Sequence, residues 1–454
     1  MKAATHPVYE IVLAALKTDI QQMVEEGHAA GALEQELAAA VAAGSLDALA
    51  ALQEELWQRP SPAGFAYEEP SDWETIASFF PAVESHARFR GSDAELEDRL
   101  LAAWQGRCAG CQLGKPLEGT MWPDKIKKVL ECVGSWPLDD YMNPTPARLE
   151  LEQVADCDFF RRGNEWRNTL CKGRFSDVAP DDDIHYAIIS QMVLEEHGAE
   201  FTSAQARETL LQVIPYSCLY AAGRNMFRTA VFGFAAPHTA LFGNPCRQSL
   251  GAQIRCDAFG WAAPGNPALA ARMAYRDAVN SQTRNGIYSG MFFAALMADT
   301  LAHGDPLRAI ATAAQYVPPR SRFAEMIRRV SAWCAEMKDW QEVNAKIYAA
   351  YEKEAPKFNH SLPNAAIVLL GLHAGCGDFS RTLGVTVMAG LDTDCTGATA
   401  GSIMGCALGT GGIPARWVEP FHDTIRSEVK GLPIVKISEI AGRMAGVAKR
   451  HARR

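Results

Sequence analysis

The sequence predicts an all-α globule. Apolar residues recur at helical spacing through most of the chain, strand-like alternation is almost absent, and the gaps between apolar stretches carry Pro, Gly and capping residues. The chain has 454 residues, 48% of them hydrophobic, which is ample for a large core.

In chain order, residues 1 to about 58 read as two or three helices, with Ile11, Leu13, Leu16, Ile20 and Met23 at helical spacing. Gly44-Ser45 breaks and recaps this run, and the Pro/Gly segment 59–64 ends it. Ser71 and Glu74 then have the spacing of a capping box. Residues 1–92 are therefore expected to form a helical N-terminal extension, and residues 93–454 the main domain. Beyond Asp93 the periodicity predicts helices over 96–112, 184–197, 204–213, 267–280, 288–302, 307–316, 323–351, 364–371, 379–388 and 396–408.

A net charge of -9 argues against a general binder of nucleic acid or anionic membrane, both of which need a basic surface. No apolar run reaches the roughly 20 residues that span a bilayer, and the N-terminus lacks the pattern of a signal peptide. A cytoplasmic protein is the expectation. The 12 cysteines are scattered, which suits buried thiols better than a disulfide framework, and Cys108-x-x-Cys111 has no second pair at zinc-site spacing.

Three stretches could carry chemistry. The first is Asp392-Thr393-Asp394-Cys395-Thr396, which opens a segment with Gly397, Gly401 and Gly405 on one helical face. Two carboxylates about 4 Å apart repel by roughly 4 kcal/mol at an effective dielectric near 20, so such a pair needs a cation, a shared proton or donors. An acidic N-cap explains it equally well. The second is Pro180-Asp181-Asp182-Asp183-Ile184-His185-Tyr186, three acids at the start of an apolar helix. The third is Gly106–Gly119, with glycines at 106, 110 and 114 for close helix packing and Glu118 after a proline-set turn. Carboxylates converging from separate helix starts suit a pair of hard divalent cations.

Together these stretches resemble the hallmark blocks of the ADP-ribosylglycohydrolase family: Glu118 after Gly110 and Gly114, the acidic triplet 181–183, and the late Asp392-Thr393-Asp394 before a Gly/Ala helix. The resemblance covers approximately residues 93–415. It implies an orthogonal all-α fold with two Mg²⁺ ions, Mn²⁺ being the other candidate, and cleavage of an N- or O-glycosidic bond of an ADP-ribosyl group. By position it implies metal ligands at Asp181, Asp182, Asp183, Asp392 and Asp394, with Thr396 as the nearest hydroxyl because Cys395 stands where a hydroxyl ligand is usual. Asp181 itself stands where a threonine is usual, and Cys111 where an aspartate is. Glu118, Asp182 and Asp394 become the expected catalytic residues.

For the substrate, an ADP-ribosylated protein or a small riboside, the amide- and guanidinium-rich segment 243–260 is the main candidate. Arg247, Gln253 and Arg255 could hold a phosphate or carboxylate, Phe259 or Trp261 could stack on a base, and Tyr288 follows at the next helix entry. Asn280, Gln282, Asn285, His360 and Asn364 are further candidates. Two alternatives stand beside this reading: hydrolysis of a free nucleoside, and a non-catalytic, crystallin-like use of the fold.

Overall fold

A computed structural model describes residues 7–81, 89–119, 122–144, 165–352 and 357–452. The chain is all-α, as predicted; among the described residues the paired strands are the short antiparallel Thr424–Arg426 and Ile434–Lys436.

The architecture centres on one helix pair. Asp93–Gly114 and Thr393–Leu408 run antiparallel with their backbones in contact, because each turns a glycine face to the other. A Cβ on Gly106 would lie 2.1 Å from the Gly401 carbonyl oxygen, and one on Gly114 would lie 2.1 Å from that of Thr393. The obstacles are main-chain atoms, so no side chain can swing away to make room. Thr393 Oγ1 donates to the Gly114 carbonyl at 2.8 Å. The pairing therefore brings the end of the first helix, with residues 115–118 behind it, against the start of the second.

Other helices enclose this pair. Arg284–His303 is buried from Asn285 to Leu301, and Ser361–Gly375 is nearly as enclosed. Both are apolar all round, as helices in the middle of a large core are. Asp182–His197 brings the acidic triplet to the same end of the central pair, with Gly198 at φ 71° ending it.

Two local expectations are corrected. The predicted helix over 323–351 is two, Arg322–Ala335 and Trp340–Tyr351, because Asp339 caps the second by accepting from Gln341 N at 3.0 Å. At the earlier cap Asp72, not Ser71, accepts from Thr75 N, at 2.9 Å; Ser71 Oγ accepts from Arg284 N instead.

Helices Pro7–Glu25, Ala30–Ala42 and Leu46–Gln58 share a small core of their own, which includes Leu16, Ile20, Leu33, Leu49 and Leu56. Buried charges tie this region and the strand of chain after it to the rest. Glu26 pairs with Arg247 at 2.7 Å, Glu69 with Arg322 at 2.7 Å, and Glu25 with His360 at 2.9 Å. Among the described residues no helix is long and apolar enough to cross a membrane.

Candidate active site

The late acidic pair is aimed by a backbone turn. Leu391 has φ 63°, a left-handed conformation unusual for a side chain of its size, and the helix starts immediately after it. Asp392 is the N-cap residue but makes no side-chain cap bond, and its own N–H donates to Asn364 Oδ1 at 3.2 Å. Its carboxylate is thus not consumed by the helix. Asp394 Oδ1 accepts from Cys395 N at 3.0 Å. The capping role falls instead to Asp181, whose Oδ1 accepts from Asp183 N at 2.9 Å.

Two basic residues bridge the acids. Arg107 is fully buried in the central helix; it donates to the Asp183 carbonyl, to Asp183 Oδ1 at 3.2 Å and to Asp257 Oδ2 at 2.8 Å. Asp183 Oδ2 is left buried with no hydrogen-bond partner. Lys115, one residue beyond Gly114, places Nζ 2.5 Å from Asp181 Oδ2, 2.9 Å from Glu118 Oε2 and 3.1 Å from Asp394 Oδ2. Arg167 Nη1 donates to the carbonyls of Pro116 and Glu118, which fixes the turn that carries Glu118.

The electrostatics follow from crowding of like charge. The charge of Asp394, then burial, pushes the Glu118 carboxyl up to about 7, against the pull of Lys115. Burial, then Asp394, raises Asp392 well above the usual carboxylate range. Burial likewise raises Asp183, with Arg107 opposing. Burial works against an ionised Asp394 too, yet Lys115 and a hydrogen bond with Asp392 hold it below the ordinary value. Burial disfavours the charged form of Lys115, but Asp181, Asp394 and Glu118 overcome that and keep it protonated.

These groups open on one cleft of about 570 Å³, lined by Lys115, Glu118, Asp182, Asp392, Asp394 and Cys395 on its acidic side. Its size is that of a small-molecule site. Three sets of side chains bring ligand atoms within 4.8 Å of one another: Glu118 with Asp392 and Asp394, Asp183 with Asp394 and Cys395, and Cys111 with Asp181 and Asp183. Carboxylate oxygens suit a hard divalent cation, and the unpartnered Asp183 Oδ2 is a buried acceptor that a cation would satisfy. The donor set fits a metal.

The profile of the ADP-ribosylglycohydrolase family matches residues 92–451. The chain belongs to the ADP-ribosylglycohydrolase family. A solved structure described as an ADP-ribosylglycohydrolase-related protein complex is similar to it at 18% identity, with a TM-score of 0.49, covering 79% of this chain and 99% of that one. A search of curated proteins finds no match.

Not every residue that the family resemblance or the composition singled out lies at the cleft. Asp182 lines it but belongs to none of the three sets. Thr396 turns its hydroxyl to the carbonyls of Asp392 and Thr393, at 3.0 and 3.4 Å, because it sits on the inner face of the first helical turn; the side chain presented to the cleft is Cys395.

Arg247, Gln253, Arg255 and Tyr288, the expected substrate ligands, are all buried, and none lines the cleft. Arg247 binds Glu26, Arg255 binds Asp277 at 2.7 Å, Gln253 donates to Thr399 Oγ1 at 3.2 Å, and the Tyr288 hydroxyl donates to the Pro70 carbonyl. The anion that Arg247 requires is supplied by the chain's own N-terminal region. Phe259 stacks on Phe201 and Trp261 packs on Trp104, both in the core. Asn280 and Asn285 bond within the framework, and His360 faces Glu25.

Lys115 and Arg107 stand outside the acidic blocks of the sequence, and Asn364 lies 28 positions before the Asp392 whose N–H it accepts. The usable signal was a basic residue inside a glycine-spaced, otherwise buried helix: five aspartates gathered nearby require such counter-charges.

Proposed function

We propose that the chain is a metal-dependent hydrolase that cleaves the N- or O-glycosidic bond of an ADP-ribosyl or related ribosyl substrate. The observation that carries this reading is the cleft itself: Glu118, Asp182, Asp392 and Asp394 arrive from three separate elements on one cavity of about 570 Å³. Arg107 and Lys115 supply only two positive charges to the gathered carboxyls of Glu118, Asp181, Asp182, Asp183, Asp392 and Asp394, and that excess of buried acid is a standing destabilisation, which argues against a purely structural use of the fold.

Mg²⁺ is the ion we assign, with Mn²⁺ as the substitute, held by residues drawn from Asp181, Asp182, Asp183, Asp392 and Asp394. At such a site a divalent ion supplies Lewis acidity toward sugar hydroxyls and makes a neighbouring water more acidic. Thr396 keeps its hydroxyl on the helix backbone and a thiol is a poor ligand for a hard cation, so a water completes the donor set.

Glu118 stands at the cleft wall with a carboxyl poised near neutrality, suited to accept the proton of the attacking water. Lys115 fixes its orientation at 2.9 Å. The carboxylates of Asp182 and Asp394 favour the positive charge that develops on the ribose ring as the glycosidic bond breaks. Tyr220, Trp166 and Phe358 line the same cleft and are 55, 41 and 36% exposed. Exposed aromatic faces at the mouth of a polar cleft give a nucleobase a surface on which to stack.

The test is a substrate panel at neutral pH with Mg²⁺: ADP-ribosyl-arginine, ADP-ribosyl-serine and simple nucleosides, with free ribosyl product as the readout. Turnover of an ADP-ribosyl conjugate supports the reading, with an ADP-ribosylated protein as the parent substrate. Turnover of nucleosides alone moves the assignment to a small-riboside hydrolase. No turnover of any member, in protein shown to bind metal, would contradict it.

A further inference from the structure

We propose that the Lys115 ammonium is a built-in cation that permanently holds one of the cation positions in the cleft, so that the chain binds a single divalent ion beside it. This rests on the metal-dependent reading above and specifies the composition of that same site.

The geometry is that of a bound ion rather than of a surface salt bridge. An ammonium has three N–H donors and no acceptor. Lys115 directs its nitrogen at three carboxylate oxygens, of Asp181, Glu118 and Asp394, at 2.5, 2.9 and 3.1 Å. They come from three different parts of the fold: a helix start, the turn that Lys115 itself opens, and the start of the central glycine helix. The ammonium donates to Asp394 Oδ2 and lies in ion-pair contact with the other two, so the positive charge sits where the like charges converge.

The backbone gives Lys115 little freedom to leave. Gly114 before it is pressed on Thr393, its N–H donates to the Cys111 carbonyl, and Pro116 follows. The Lys115 side chain is only 21% exposed.

The three possible metal sets are affected unequally. Glu118–Asp392–Asp394 shares two of its members with Lys115. In Cys111–Asp181–Asp183, Asp181 Oδ1 accepts from Asp183 N and Asp181 Oδ2 faces the ammonium as an ion pair, and Cys111 and Asp181 do not line the cleft. A divalent ion in either place would meet the ammonium across shared ligands. Asp183–Asp394–Cys395 shares one member, Asp394, with Lys115 as well, but it alone of the sets that include the unpartnered Asp183 Oδ2 reaches the cleft, through Asp394 and Cys395. That set is where the single ion belongs. Arg107 orients this carboxylate by binding its other oxygen at 3.2 Å, so it is a positioning residue for the ion site.

The experiment is Mn²⁺ titration of the full-length protein after metal removal, followed by isothermal calorimetry and by the electron paramagnetic resonance signal of free Mn²⁺. Wild type is expected to take up one ion per chain, Lys115→Arg one, and Lys115→Met and Lys115→Gln two, with circular dichroism confirming that each variant is folded. Two ions in wild type would overturn the proposal whatever the variants do, and leave the metal-dependent reading intact. One ion in a folded Lys115→Met or Lys115→Gln chain would also overturn it. No ion in any of the four proteins would overturn both.

Discussion

Gly110 and Gly397 meet backbone to backbone across the central helix pair: a Cβ on Gly110 would lie 1.9 Å from the Gly397 carbonyl oxygen. That approach sets the distance between the turn carrying Lys115 and Glu118 and the helix start carrying Asp392 and Asp394. Gly110→Ala must push the helices apart, and because the obstacle is main chain the cost is expected at the upper end of the range for overpacking, about 3 kcal/mol. Gly442, in the C-terminal helix, has open space around its Cβ position, so Gly442→Ala should be neutral or stabilising by up to about 1 kcal/mol. Urea unfolding of the two variants checks the contrast. Gly110→Ala should also lose activity ahead of stability, because the acids no longer converge.

The central pair was the most legible part of the fold. Glycines at 106, 110 and 114 and at 397, 401 and 405 announce two close-packed faces, and the structure shows each to be the other's partner. Two acidic blocks were legible as separate helix entrances and Glu118 as the product of a proline-set turn; the glycine contact brings Glu118 and the late acidic pair together, and Arg107 and Lys115 tie the acidic triplet to them. What the sequence could not reveal is who answers whom. Arg247 reads as an anion ligand and is one, but its anion is Glu26, 221 positions earlier in the chain. Lys115 looks like an ordinary turn residue until Asp181 and Asp394 are brought to it from 66 and 279 positions away. Such long-range pairings leave no local periodicity to read.

Asp392 illustrates the trade between stability and function. Burial and the charge of Asp394 raise its carboxyl well above the usual range, so its ionisation opposes folding at neutral pH. The sign follows from linkage: the penalty is absent below the ordinary value of about 4, where the unfolded carboxyl is protonated too, and grows as pH rises above it. Metal-free Asp392→Asn should therefore be more stable than metal-free wild type at pH 7 by at least about 1 kcal/mol, and no more stable near pH 3. The same variant should lose hydrolysis. Chemical denaturation at the two pH values, with an activity assay alongside, measures both.

Glu118 gives the reaction its expected pH dependence. A proton acceptor whose carboxyl titrates at about 7 is increasingly protonated, and idle, as pH falls below that point. The Lys115 charge lowers this value and Asp394 raises it. Lys115→Met is therefore expected to move the acidic limb of the kcat/KM profile to higher pH when both enzymes are compared at one fixed metal loading. Glu118→Gln should lower kcat by about 10²-fold or more on the plateau above about pH 7, with the deficit shrinking as pH falls, and remove that limb.

The N-terminal region is fastened by desolvated ion pairs. Arg322 and Glu69 meet at 2.7 Å with Glu69 fully enclosed, and Arg322 further contacts the Glu25 carbonyl and Gln248. Removing one partner of such a pair leaves the other buried and unpaired, which costs about 3–5 kcal/mol. Arg322→Ala is expected to show that loss in equilibrium unfolding. Burial opposes ionisation of Glu69, but Arg322 more than compensates and lowers its carboxyl below the ordinary value. Its contribution is thus complete above about pH 4.3 and is lost as pH falls further. The difference between wild type and Arg322→Ala should shrink over that acid range.

The central claim is that the buried acids work by holding a divalent cation for glycoside cleavage. Its most direct test is hydrolysis of an ADP-ribosyl conjugate by the full-length protein before EDTA treatment, after it, and after Mg²⁺ or Mn²⁺ is restored, with Asp394→Asn run in parallel. The account predicts product release that disappears on chelation, returns with the ion, and is absent from Asp394→Asn under every condition. Full turnover by the metal-free protein would contradict it.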